Sequence, residues 1–170
     1  MPALSSRPCA DYLCIAASGV HMAMRYFEDF QIGQELPLGR CAVTRGEIVA
    51  FAAEFDPQPF HLDEAAGADS LLGGLAASGW HTCALFMRIL YDGWLREAAS
   101  MGSPGVDMLK WVRPVRPGDV LSGRSIVLDT RPSNSRADRG FVRLRHEIVN
   151  GRGEIVMLAE NPIMFSRRPS

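Results

Sequence analysis

Gly73-Gly74-Leu75-Ala76-Ala77-Ser78-Gly79-Trp80-His81-Thr82-Cys83-Ala84-Leu85-Phe86-Met87-Arg88-Ile89-Leu90 is the stretch on which the fold turns. A glycine pair breaks the chain, and the apolar run that follows reaches Trp94 and Leu95 with few charges. Such a pattern predicts a long helix that is apolar on most sides and therefore buried. Upstream, Glu35 to Val43 reads as a strand, and Thr44-Arg45-Gly46-Glu47 as a capping box opening a helix through Ile48, Phe51, Ala52 and Phe55. A second short helical piece is expected near Asp63, over Glu64-Ala65-Ala66. Downstream, Val106 to Val112, Val120 to Asp129, Phe141 to Val149 and Glu154 to Phe165 read as strands separated by Pro, Gly and Asn clusters. Asn150-Gly151-Arg152-Gly153 is expected to turn the last hairpin. One buried helix among antiparallel strands describes an α+β domain whose sheet curls around the helix.

Composition narrows the function. At 170 residues the chain is long enough for one domain with a real core. With 18 Lys and Arg against 19 Asp and Glu, nothing in the bulk charge argues for nucleic acid or an anionic membrane. No apolar run approaches the length of a transmembrane helix. Cys9, Cys14, Cys41 and Cys83 are scattered without C-x-x-C spacing, which reads as reduced thiols in a cytoplasmic protein. Residues 1–24 make a poor signal peptide and are expected to be an extension, disordered or not native to the domain, which occupies residues 25–170.

The chemistry is concentrated in Phe55-Asp56-Pro57-Gln58-Pro59-Phe60-His61. Each proline pushes the residue before it towards extended geometry, so Asp56 and Gln58 should lie outside helices. A carboxylate and an imidazole can then converge on one point without helical spacing. Together they supply what general acid/base chemistry requires.

Three motifs carry a resemblance over about residues 26–165. These are Asp56-x-Gln58-Pro59-x-His61, then Gly73-Gly74-Leu75-Ala76-Ala77-Ser78-Gly79-Trp80-His81-Thr82, then Val112-Arg113-Pro114-Val115-Arg116-Pro117-Gly118-Asp119. In that order the chain resembles the MaoC-like dehydratases, the (R)-specific enoyl-CoA hydratase branch of the hot dog fold. The family pattern usually has Asn at the place of Gln58, which keeps the amide and adds a methylene. The resemblance implies an antiparallel sheet wrapped around a long central helix. It implies that Asp56 and His61 hold one water and add it to the double bond of a trans-2-enoyl thioester. It also implies that the Gly79 amide binds the thioester oxygen, with Ser78, Gln58 and Trp80 around the substrate. A helix N-terminus suits that task, since its N–H groups lack intrahelical partners and carry partial positive charge. The implied substrate is a short to medium acyl-CoA, with CoA as part of the substrate, no further cofactor and no metal. The implied assembly is a homodimer or a higher one.

Other residues fit duller roles. Ser78 lacks the G-x-S-x-G elbow of a nucleophile and reads as the N-cap of the central helix. His81 is expected against a dimer partner or the tunnel wall, and His146 on the core or tunnel face of its strand. Trp94 and Met87 read as core or tunnel lining, and Arg113 and Arg116 as solvated loop arginines, with contacts to CoA phosphates as the alternative. Two other functions stand beside hydration: an idle acyl-thioester-binding domain, and a hot dog thioesterase. The intact Asp56/His61 pair argues against the first. Against the second, Leu85 to Ile89 offers no carboxylate on the central helix.

Overall fold

The computed structural model describes residues 23–169 and, ahead of them, the short strand β1 (Cys14–Ile15). Apart from those two residues and residues 23–24, the expected extension lies outside the described residues. The helices are α1 (Arg45–Phe55), α2 (Pro59–Leu62), α3 (Glu64–Ala68) and α4 (Gly79–Gly93). The remaining strands are β2 (Glu35–Pro37), β3 (Arg40–Ala42), β4 (Met108–Trp111), β5 (Val120–Pro132), β6 (Arg139–Val149) and β7 (Ile155–Ser166). The strands pair antiparallel in the order β1-β3-β5-β6-β7-β4, with β2 also on β5. This sheet around α4 is the hot dog arrangement. Among the described residues no helix is long and apolar enough to cross a membrane.

Alternation builds the core. Along β6, Val142, Leu144, His146 and Ile148 turn inward while Arg143 and Arg145 face water, as period two requires. They meet Leu85, Ile89 and Leu90 of α4, all nearly inaccessible. Burying an aliphatic side chain of this size stabilises by about 2 kcal/mol. The expectation that α4 is buried on most sides needs correction, because Trp80, Met87 and Tyr91 are at least half exposed. The covered stripe runs from His81, which packs on α1, through Leu85 and Ile89 to Asp92.

Two elements differ from the sequence reading. The first strand is broken at Leu38-Gly39, where the chain crosses the end of α4 and the Gly39 N–H donates to the Ile89 carbonyl at 2.8 Å. A Cβ on Gly93 would sit 2.7 Å from the Gly39 nitrogen and 2.8 Å from the Leu38 Cα, so the two backbones touch. The short helix α2 was also not anticipated. Pro59 occupies its first turn, where a missing N–H costs nothing. The capping box forms as read: Glu47 N–H donates to Thr44 Oγ1 at 3.2 Å, and Thr44 N–H to Glu47 Oε2 at 2.9 Å.

His146 is the core's polar exception. Asn161 Oδ1 can only accept, so the 3.0 Å contact assigns the ring proton to Nε2. His146 Nδ1 then accepts from the Ser125 hydroxyl at 2.9 Å, whose oxygen accepts from Trp94 Nε1 at 3.2 Å. Burial pushes the imidazole down from 6.5 to about 4. The unfolded chain therefore takes up a proton near pH 6.5 that the folded protein refuses until about 4. Stability is full above pH 6.5 and falls as pH drops, with roughly 3 kcal/mol lost from this group by pH 4. Urea unfolding between pH 7 and pH 4.5 should show that decline in the wild type and a shallower one in His146→Gln. Equal slopes would remove His146 as its source.

Candidate active site

All three motifs meet at one cavity of about 390 Å³. Asp56 caps the C-terminus of α1 with backbone that is neither helical nor fully extended (φ −152°, ψ 68°), and Gln58 precedes α2 with extended backbone, so both lie outside helices as the prolines require. His61 lies in α2, buried, and its Nδ1 sits 2.7 Å from the Ala76 carbonyl. A carbonyl only accepts, so Nδ1 carries the proton and Nε2 offers a lone pair when the ring is neutral. That Nε2 lies 3.6 Å from Asp56 Oδ2. The separation is too long for a direct hydrogen bond and suits one donor placed between two acceptors.

Asp56 is held by two donors. The Ser78 hydroxyl donates to Oδ2 at 2.6 Å, and Gln58 Nε2 donates to Oδ1 at 2.8 Å. These bonds, Ser78 first and Gln58 second, hold the carboxyl below the usual Asp range against some desolvation, with the charge of His61 adding to them. Ser78 is completely buried, and its oxygen also accepts the Trp80 N–H at 3.2 Å, capping α4. With its proton committed to a carboxylate, Ser78 is not arranged as a nucleophile.

The third motif positions the second. The Val115 carbonyl accepts the Ala77 N–H at 2.8 Å, and the Arg116 guanidinium donates to the carbonyls of Leu72 and Leu75. Residues 72–78 are thereby held, and α4 starts where Gly79 borders the cavity. As the first residue of α4, Gly79 has no carbonyl one turn earlier in the helix to receive its N–H. A Cβ at Gly79 would collide with the Trp111 indole, so the missing side chain also seats that ring. Trp111 was not singled out in the sequence, although it stands immediately before Val112-Arg113-Pro114. The Ala76 carbonyl leaves no side-chain signal at all.

Trp80 borders the cavity and packs edge-on against Trp111, with centroids 5.4 Å apart. Arg113 lines the cavity too, bonded to the Ile155 carbonyl at 2.9 Å. Arg116, by contrast, is occupied with the loop before α4. His81 is not on the cavity wall. It stacks on Phe51 of α1 at 4.7 Å, and neither ring nitrogen has a hydrogen-bond partner among the described residues. Burial lowers its pKa, opposed by Glu47. Asp92, the carboxylate at the far end of α4, pairs with Arg88 at 2.6 Å and does not border the cavity.

A family model described as MaoC like domain matches residues 29–147. The crystal structure of the MaoC-like dehydratase from Rhodospirillum rubrum is similar at TM-score 0.81 and 44% identity, over 86% of this chain and 99% of that one. The uncharacterized protein YdeM of Bacillus subtilis is 30% identical over 141 residues, 82% of this chain and 98% of its own length. The (R)-hydratase from A. caviae shares the fold at TM-score 0.64, with 24% identity over 84% of this chain and 99% of that one.

Ser78→Ala should raise the Asp56 pKa, since it removes the strongest donor to that carboxylate. It should also cost about 1 kcal/mol of stability through the lost N-cap. A carboxyl-carbon NMR titration checks the first effect and thermal unfolding the second. An unmoved Asp56 titration would refute the role given to Ser78.

Proposed function

This chain belongs to the MaoC-like domain family, and from that premise we propose that it adds water to, or removes it from, the 2,3 double bond of an acyl-CoA thioester. The observation that carries this reading is the 3.6 Å gap between Asp56 Oδ2 and His61 Nε2 on a cavity wall. A water about 2.8 Å from each atom would donate one O–H to the carboxylate and the other to the imidazole, leaving an oxygen lone pair for the substrate.

In the hydration direction His61 Nε2 takes a proton from the water as its oxygen bonds to C3. The electron pair of the double bond moves through C2 onto the thioester oxygen. The Gly79 N–H receives that oxygen, and one such preorganised donor lowers a barrier by about 3 kcal/mol. As His61 returns its proton to the new hydroxyl, that hydroxyl passes its other hydrogen to Asp56 Oδ2 across the same gap, and the Asp56 carboxyl gives it to C2, which restores the pair. Net, one water is consumed, with its hydroxyl on C3 and its proton on C2. Gln58 and Ser78 hold Asp56 ionised and in place, and Trp80 borders the acyl group. CoA is part of the substrate, and the active assembly is a homodimer.

An idle thioester-binding domain would bind acyl-CoA without turnover, and a thioesterase would release free CoA thiol. The second is disfavoured because the helical carboxylate Asp92 is paired with Arg88 away from the cavity. Loss of enoyl absorbance, with thiol release followed in parallel, separates the three on crotonyl-, octenoyl- and mesaconyl-type thioesters. Asp56→Asn and His61→Gln should each lower kcat/KM by about a hundredfold or more, and the double variant should lose little beyond the worse single one. Near wild-type turnover in either single variant would sink the assignment.

A further inference from the structure

A second cavity, of about 350 Å³, has one lining residue in common with the catalytic cavity, and that residue is Trp80. The second cavity is lined by Phe86, Met87, Leu90, Leu109 and Ile163 with other apolar or neutral residues and, among the described residues, by no charged group. Its largely apolar chemistry suits a hydrocarbon chain and offers a phosphate or a carboxylate no charged partner. On the catalytic side, Trp111 lies over Gly79 and meets the Trp80 ring at 80°, so the two indoles form a corner of that wall. Trp80 is 61% exposed, which leaves its ring free to be displaced or removed without opening the core.

We propose that Trp80 is a partition that sets acyl-chain length. The indole stands between the reacting carbons at Asp56, His61 and Gly79 and the apolar cavity beside Met87 and Leu90. The native protein accordingly favours short enoyl chains. A chain of about eight carbons has to displace the ring before its end reaches the apolar lining. The inference rests on the hydratase reading above, because it takes the acyl carbonyl to sit at Gly79.

The test compares crotonyl-CoA with trans-2-octenoyl-CoA in the wild type, in Trp80→Ala and in Trp80→Ala/Met87→Trp. Octanoyl-CoA binding is measured by calorimetry in the same three proteins. The wild type should prefer crotonyl-CoA. Trp80→Ala should raise the octenoyl to crotonyl ratio of kcat/KM at least tenfold, about what a few additional methylenes contribute in an apolar pocket. Met87→Trp, by refilling the second cavity, should cancel that gain. Octanoyl-CoA binding should tighten and weaken in the same order, and Trp80→Leu serves if the alanine variant is unstable. Equal wild-type use of both substrates, an unchanged ratio, or a gain that survives Met87→Trp would overturn the partition. If no protein turned over either substrate, the hydratase reading would fail, while the calorimetric order would still decide the role of Trp80.

Discussion

One hydroxyl joins the two halves of the site. Ser78 Oγ donates to Asp56 Oδ2 at 2.6 Å and accepts the Trp80 N–H at 3.2 Å, fixing the carboxylate at the end of α1 against the first turn of α4. The distance between the acid/base pair and the Gly79 amide is therefore set by a side chain that is completely buried. Its own position is secured from below. Arg116 holds the carbonyls of Leu72 and Leu75, and the Val115 carbonyl holds the Ala77 N–H. The same segment delivers the Ala76 carbonyl to His61. Preorganisation of this kind is what makes dipoles effective against charge that develops during reaction.

Three buried histidines illustrate how partners rather than burial assign a role. His146 has both ring nitrogens bonded to neutral groups, and burial with no counter-charge beside it pushes its pKa down to about 4 against the opposing bond to Asn161. His81 has an aromatic face against Phe51 and no hydrogen bond on either nitrogen among the described residues. His61 alone of the three has one nitrogen fixed by a carbonyl and the other turned towards a carboxylate. An imidazolium formed there is compensated at once, which neither of the other two sites could provide.

Much of this was legible in local chemistry. Pro57 and Pro59 kept Asp56 and Gln58 out of helices, Thr44 and Glu47 dictated the start of α1, and strand alternation located β5 to β7 to within a few residues. What escaped was made by contacts between distant segments. The break at Gly39 exists because α4 ends there with Gly93. Trp111 belongs to the site because Gly79 leaves room for its ring, and the exposed flank of α4 reflects a cavity that no periodicity describes. A main-chain acceptor such as the Ala76 carbonyl has no residue identity to read.

Gln58 shows how a departure from the family pattern can be absorbed. Its side chain is exposed, yet its amide reaches back to Asp56 Oδ1 at 2.8 Å. With Ser78 on the other oxygen, both carboxylate oxygens carry a donor, and the group is turned and held below the usual Asp range. A carboxylate weakened as a base in this way is better suited to orienting a water than to deprotonating it. On the proposed hydratase reading, proton removal is the task of the imidazole, whose free nitrogen faces the same point. When Asp56 does carry a proton, the same two donors make it a stronger acid than an ordinary Asp, which suits the proton return to carbon in that reading. The extra methylene of Gln58 thus leaves the amide bonded to the carboxylate, with the side chain on the wall of the same cavity.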